Sequence, residues 1–162
     1  MIEVRRATLD DLAAVRVLLG ETWHATYDAI YGNERVAQIT ATWHSVDALR
    51  RHLDSGGLRL VAVRDGVIVG TAADLPSGGG DHVKLAQLYV LPAGQGTGKG
   101  QALLDAFIAA FQSARRITLE VEPANTRAIA FYARHRFAKI GEVANCGGGA
   151  SGIQAVVMGR AN

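Results

Sequence analysis

The residues best placed to do chemistry in this chain are the backbone groups of a glycine-rich turn. The run Gln87-Leu88-Tyr89-Val90-Leu91-Pro92-Ala93-Gly94-Gln95-Gly96-Thr97-Gly98-Lys99-Gly100 is an apolar strand that stops at a proline, followed by the turn and then an amphipathic helix. Glycine lets a backbone approach a ligand closely and reach positive φ. The helix that follows opens with N–H groups lacking intrahelical partners and with a partial positive charge, a combination suited to a phosphate. A nucleotide P-loop needs a glycine, four residues, then Gly-Lys-Ser/Thr. Here Gly98-Lys99 is preceded by Ala93 at the first glycine position and followed by Gly100 where the Mg²⁺-binding hydroxyl belongs. A dinucleotide Gly-x-Gly-x-x-Gly fingerprint also fails, because its last glycine position falls on Lys99, Gln101 or Leu103 in the three registers. The pattern that fits completely is Gln/Arg-x-x-Gly-x-Gly/Ala, filled by Gln95 to Gly100 with two residues between it and Pro92.

A second pattern follows in the expected order. Ile117-Thr118-Leu119-Glu120-Val121 reads as a strand, Glu122-Pro123-Ala124-Asn125-Thr126 as a turn, and Arg127 to His135 as a short helix carrying Phe131-Tyr132; Phe137 opens another strand. With both patterns present, the chain resembles the GNAT superfamily of N-acetyltransferases over most of its length. The resemblance implies acetyl-CoA as co-substrate, held by Gln95, Gly96, Thr97, Gly98, Lys99 and Gly100. Gln95 stands where the family more often has arginine, so it donates without charge, and Lys99 is expected to restore a positive charge nearby. The resemblance also implies that main-chain groups of Leu88, Tyr89 and Val90 pair with the pantetheine amides and that the Val90 N–H stabilises the developing oxyanion. It places Asn125 beside the pantetheine arm, alongside its alternative role as a helix cap, and Tyr132 at the sulfur as general acid. A phenol of ordinary pKa ~10 can donate to a leaving thiolate at neutral pH without first being ionised.

Acyl transfer to an amine also requires that the amine lose a proton. Glu120 and Glu122 alternate along their strand and share a side; Asp74 closes the third strand, and Asp81 and His82 open the fourth. An unperturbed imidazole titrates nearest neutrality, which favours His82 among them, while relatives that use a water chain need no single base. On the acceptor side, Trp23, Tyr27 and Tyr31 cluster in the first helices, with Trp43-His44 as a second aromatic pair. They are read either as a wall of an amine pocket or as helix-to-sheet packing. The five histidines show no metal-ligand spacing, so no metal is expected.

These groups need a scaffold. Residues 2–6 read as a strand, and Thr8 with Asp11 as the start of a helix reaching about Thr22 through Leu12, Val15, Leu18 and Leu19. Further helices are expected over 33–43 and 46–54, the latter capped by Ser45. Strands follow over 58–63 and 67–73 around an Asp65-Gly66 turn, then a loop from Pro76 to Asp81 and a strand over 83–91. The helix over 98–112 carries a Leu103, Phe107, Phe111 stripe. Strands over 116–121, 137–143 and 153–158, a helix over 126–135 and a loop from Asn145 to Gly152 complete the chain. This order predicts an α/β (α+β) fold, a mixed, mainly antiparallel sheet with helices on both faces, in one domain spanning residues 1–162.

Composition excludes several classes. A hydrophobic fraction of 49% supports a core and argues against disorder, and a net charge of +2 without a dense basic run gives no ground for nucleic-acid binding. No apolar run approaches a membrane span, no secretory signal core is visible, and one cysteine, Cys146, fits a reducing cytoplasm. The expected protein is therefore a cytoplasmic acetyltransferase acting on a primary amine of a small molecule or a protein N-terminus. Its partners are acetyl-CoA and the acceptor, and it is open to homodimer formation. The alternative is a non-catalytic acetyl-CoA-binding sensor module.

Overall fold

The computed structural model describes residues 2–75, 81–94, 97–146 and 151–162. Gln95, Gly96, most of the expected 76–81 loop and the glycines at 147–149 lie outside the described residues.

The elements run β1 (Glu3–Arg6), α1 (Leu12–Tyr31), α2 (Asn33–Trp43), α3 (Val46–Asp54), β2 (Arg59–Arg64), β3 (Val67–Leu75), β4 (His82–Val90), α4 (Lys99–Ala110), β5 (Arg116–Val121), α5 (Thr126–Arg134), β6 (Ala138–Val143) and β7 (Ala155–Ala161). Local chemistry accounts for most of the boundaries. The Asp11 carboxylate accepts from the Thr8 N–H at 2.7 Å ahead of α1, and Ser45 Oγ accepts from the Ala48 N–H at 3.1 Å to cap α3. Asp65 and Gly66 both take positive φ, 51° and 77°, the pairing a tight two-residue hairpin requires.

The strands form a seven-stranded, mostly antiparallel sheet in the order β1-β2-β3-β4-β5-β7-β6. The parallel pair is β4 with β5, registering His82–Leu85 against Arg116–Leu119. The chain divides into two compact units, Met1–Asp74 with Gln87–Ala110 and Leu75–Ala86 with Phe111–Asn162, and the division falls inside β4.

Helices cover both sheet faces in the first unit. Leu12, Val15 and Leu19 of α1 and Leu49 of α3 bury against Val61 of β2. On the other face α4 comes so close that a Cβ added at Gly70 would fall 2.8 Å from Leu103 Cδ1 and 3.1 Å from the Tyr89 carbonyl oxygen. Glycine at 70 is what lets β3, β4 and α4 approach. In the second unit, Ile117, Leu119 and Val121 of β5 and Val156 and Met158 of β7 are buried.

Three boundaries depart from the sequence reading. α1 continues nine residues beyond Thr22, because Trp23 and Tyr27 keep to its buried side and pack with Val36 of α2; Gly32 at φ 88° then ends it. The last strand starts at Ala155 and runs to Ala161, since its partner β5 sets the register from Val121–Val156 to Arg116–Ala161. Phe111 lies beyond the end of α4 and is only half-buried, while Leu104 joins Leu103 and Phe107 in full burial. Among the described residues, no helix is long and apolar enough to cross a membrane.

Phe107 is fully enclosed. Phe107→Ala is expected to cost about 3–5 kcal/mol of unfolding free energy, measured by urea denaturation; a loss below ~1 kcal/mol would show that the α4 interface collapses around the gap.

Candidate functional site

The described part of the turn into α4 runs from Thr97. Gly98 takes φ 84°, a conformation that L side chains rarely adopt. An added Cβ there would meet no atom within 4 Å, so the turn is open beside Gly98. The first helical bond runs from the Ala102 N–H to the Gly98 carbonyl at 3.0 Å, and the N–H groups ahead of it belong to the unpaired first turn of a helix. Lys99 does not extend into solvent. It is buried, and its ammonium donates to Thr97 Oγ1 at 2.7 Å, keeping its charge inside the turn. A positive-φ turn, a helix start and an enclosed cation are features that suit a pyrophosphate.

β4 leads into this turn. Val90 is buried, Leu88 and Tyr89 are half-buried, and the Leu91 N–H donates to the Val69 carbonyl at 3.0 Å. Leu88 is thus less enclosed than its apolar character suggests.

In the second unit, Asn125 caps α5: its Oδ1 accepts from the Ala128 N–H at 3.2 Å. Tyr132, about two turns further along α5, is 9% exposed and held edge-on between Phe131 and Phe137, with ring centroids 5.3 and 5.6 Å away. The base candidates separate sharply. Asp74 is buried and committed to structure, accepting from the Leu58 N–H at 2.8 Å and bonded to His52 Nε2 at 2.9 Å. Glu120 is ion-paired with Lys84 at 2.6 Å. Glu122 lies past the end of β5 and accepts from the Ala124 N–H at 3.2 Å. His82 Nε2 bonds Thr118 Oγ1 at 2.7 Å, and the Asp81 carbonyl accepts from the Arg115 N–H at 2.7 Å. Burial, then the neighbouring Glu120, pushes the Cys146 thiol up to about 11, so it stays protonated at neutral pH and is a poor nucleophile.

The aromatic residues of the first helices pack together. Trp23 and Tyr27 lie 4.6 Å apart and are buried, with Tyr31 and Trp43 half-buried beside them and Tyr89 of β4 against the same cluster. A groove of about 430 Å³ between α1 and α2, lined by Val17, Gly20, Ala37, Ala41 and Val46 among others, contains none of the site residues expected from sequence. Among the described residues, no group of three or more His, Cys, Asp or Glu side chains is placed to hold a metal ion.

The sequence reading missed a buried polar network on the α1 face of the sheet. The Arg59 guanidinium donates from Nη1 to Thr71 Oγ1 at 3.0 Å and from Nη2 to Gln87 Oε1 at 2.7 Å. His44 lies close enough for Arg59 to disfavour its protonation, and its ring is 5.6 Å from Trp23. The available signal was the alternation of β2, which puts Arg59 on the same face as Val61.

Comparison with known proteins agrees with this geometry. The chain belongs to the acetyltransferase (GNAT) family, whose sequence profile matches residues 19–137, and acetyl-CoA is the co-substrate of that family. No curated protein sequence matches the chain significantly. Among solved structures it is similar to a PaiA N-acetyltransferase from Thermoplasma acidophilum in complex with coenzyme A, with a TM-score of 0.87 and 21% identity over 100% of this chain and 99% of that one. It is similar as well to a ribosomal-protein-alanine N-acetyltransferase from Brucella melitensis, with a TM-score of 0.75 and 24% identity over 99% of both chains. A third is the ribosomal-protein-S18-alanine N-acetyltransferase from Escherichia coli, with a TM-score of 0.75 and 19% identity over 99% of this chain and 94% of that one. At these identities the likeness speaks for the fold.

The buried imidazole makes stability depend on pH. Burial, with Arg59 adding repulsion, lowers the His44 pKa to about 4. The unfolded chain, with an ordinary imidazole near ~6.5, therefore binds more protons than the native protein between these values. His44 thus leaves the protein fully stable above pH ~6.5 and costs up to about 3 kcal/mol as pH falls towards 4. Asp11, held down to about 2 first by its bond to Arg5, acts in a separate window below the ordinary carboxylate range. Urea denaturation at neutral pH and at pH ~4.5 should show a large loss for the native protein and a much smaller one for His44→Gln; equal losses would remove His44 as the cause.

Proposed function

We propose that the chain is a single N-acetyltransferase domain that passes the acetyl group of acetyl-CoA directly to a primary amine, of a small molecule or a protein N-terminus, within a ternary complex. The observation that carries this reading is the positive-φ turn at Gly98 opening α4 directly after β4 and Pro92. The coenzyme A bound by the Thermoplasma relative supports the same ligand here, and the ribosomal-protein alanine acetyltransferases support an amine acceptor.

In this reading Gln95, Gly96, Thr97, Gly98, Lys99 and Gly100 hold the pyrophosphate. Main-chain groups of Leu88, Tyr89 and Val90, with Asn125, hold the pantetheine arm. The Val90 N–H donates to the acetyl carbonyl oxygen as negative charge develops on it. Tyr132 gives its phenolic proton to the departing thiolate, and the aromatic wall around Tyr89 excludes water. Trp23, Tyr27 and Tyr31 form the inner side of the acceptor pocket, with His82 a further acceptor contact. The protonated Cys146 thiol supports direct transfer over an acetyl-enzyme route.

Thiol release from acetyl-CoA with a panel of amines tests the activity. Tyr132→Phe keeps the ring and removes only the hydroxyl, so turnover should fall at least ~10-fold with acetyl-CoA affinity nearly intact. The loss should be milder at acidic pH, where solvent can protonate the thiolate. Unchanged turnover, with chemistry rate-limiting, would leave Tyr132 as a packing residue. Cys146→Ser should leave turnover unchanged, and a collapse of activity there would favour the acetyl-enzyme route.

The cofactor assignment has its own test. Gly98→Glu sets a carboxylate against the pyrophosphate and should abolish acetyl-CoA binding in calorimetry. Its melting midpoint, compared with that of Gly98→Ala, separates charge repulsion from the backbone strain both variants share. Retained affinity in the Glu variant would overturn the assignment.

A further inference from the structure

Three buried polar atoms of the first unit lack partners among the described residues: Trp23 Nε1, His44 Nδ1 and Arg59 Nε. The His44 ring lies 5.6 Å from that of Trp23 and near enough to Arg59 to feel its charge. The three nitrogens come from α1, the residue after α2, and β2. Arg59 and His44 are each 2% exposed and Trp23 is 6% exposed. Buried donors are normally bonded, and a buried guanidinium is normally matched by an anion. Asp74 lies near enough to favour the Arg59 charge, but the hydrogen bonds its Oδ1 accepts come from His52 and the Leu58 N–H and not from Arg59. Arg59 itself is served only by the neutral oxygens of Thr71 and Gln87.

The direction of the vacant bonding edge is informative. In a guanidinium, Nε–H and one Nη2–H point the same way and form a fork that takes both oxygens of a carboxylate. Here Nε is unpartnered and Nη2 is held at 2.7 Å by Gln87 Oε1. A neutral amide oxygen thus occupies half of a carboxylate-shaped edge. Gln87 is half-buried and sits on β4, three residues before Val90, or about 10 Å of strand. Tyr89, between them, packs against the Trp23–Tyr27 cluster.

We propose that Arg59, with the Trp23 and His44 ring nitrogens beside it, receives the carboxylate of the acceptor, which makes the acceptor a small amine that also bears a carboxylate rather than a polyamine. This rests on the transferase reading above and deepens its acceptor side. Gln87 is the displaceable placeholder: its oxygen leaves Nη2 when the carboxylate arrives across Nε and Nη2. Burial lowers the Arg59 pKa to about 10, so the group stays a cation at neutral pH whose charge an anionic ligand would offset. A polycation would meet the same guanidinium as repulsion.

The test pairs ω-amino acids of increasing length with their carboxamides and adds a linear polyamine, all assayed by thiol release with the full chain. The acids should exceed their amides in kcat/KM by at least ~10-fold, through acceptor KM. Arg59→Gln should bring that ratio near one without changing the KM for acetyl-CoA. If Arg59→Gln does not fold, Gln87→Glu gives the same readout, because it fills the edge with the protein's own carboxylate; it should raise the melting midpoint and abolish the preference for acids. Independently of turnover, the same ω-amino acids and propionate should raise the melting midpoint of the native protein without acetyl-CoA, and their amides should not. Amides or the polyamine used as well as the acids, or an acid preference that survives Gln87→Glu, would overturn the proposal and leave the three nitrogens to internal water. Should no amine release thiol, the transferase reading fails, and the melting shifts alone decide whether the carboxylate site exists.

Discussion

The N–H groups that open α4 have no helical carbonyl behind them, and the placing of α4, β3 and β4 governs how they are presented. A helix start is useful as an anion site only if its preceding backbone turns sharply enough to aim those groups outward. Gly98 supplies the turn, with φ 84°. The helix must then be held rigidly, and Leu103, Leu104 and Phe107 do this by full burial. The strand that delivers the turn must lie close beneath the helix, which Gly70 permits by leaving room for Leu103 and the Tyr89 carbonyl. A side chain at 70 would push β4 away from α4 and misplace the turn between them.

The elements were legible in the sequence because their signals are local. The Asp65-Gly66 pair marked the hairpin between β2 and β3, and the Ser45 and Asn125 caps were readable as residue types at helix starts. The errors arose where tertiary contact overrode local signal. The aliphatic stripe of α1 ends near Leu19, but Trp23 and Tyr27 extend the same buried face at i, i+4 spacing once α2 supplies Val36 as a partner. The glycine-rich turn was readable in its pattern, since glycine at a positive-φ site leaves a mark in composition. The main chain of β4 left no such mark, since backbone groups carry no residue signature.

The side-chain chemistry was less legible, for a physical reason. A carboxylate in sequence looks equally like a base, a cap or an ion-pair partner, and only neighbours decide. Asp74 proved to be a structural acceptor holding His52 and the start of β2, while Glu120 is matched by Lys84. Arg59 shows the converse. Its parity on β2 pointed inward, but what it would meet there depended on Thr71 and Gln87 from two other strands.

The two units differ in how they treat buried polar groups. In the second, His82 is bonded to Thr118, Lys84 to Glu120, and Asn125 to the α5 backbone. In the first, Trp23, His44, His52 and Arg59 each have a buried nitrogen with no partner among the described residues. Each such group costs roughly 1–3 kcal/mol relative to a bonded one. Apolar packing accounts for Phe107 and Leu103, which are fully buried and carry no polar side-chain atoms. At Arg59 the guanidinium is held by Thr71 and Gln87 with its Nε left over, and the carboxylate proposed above would give that nitrogen its partner.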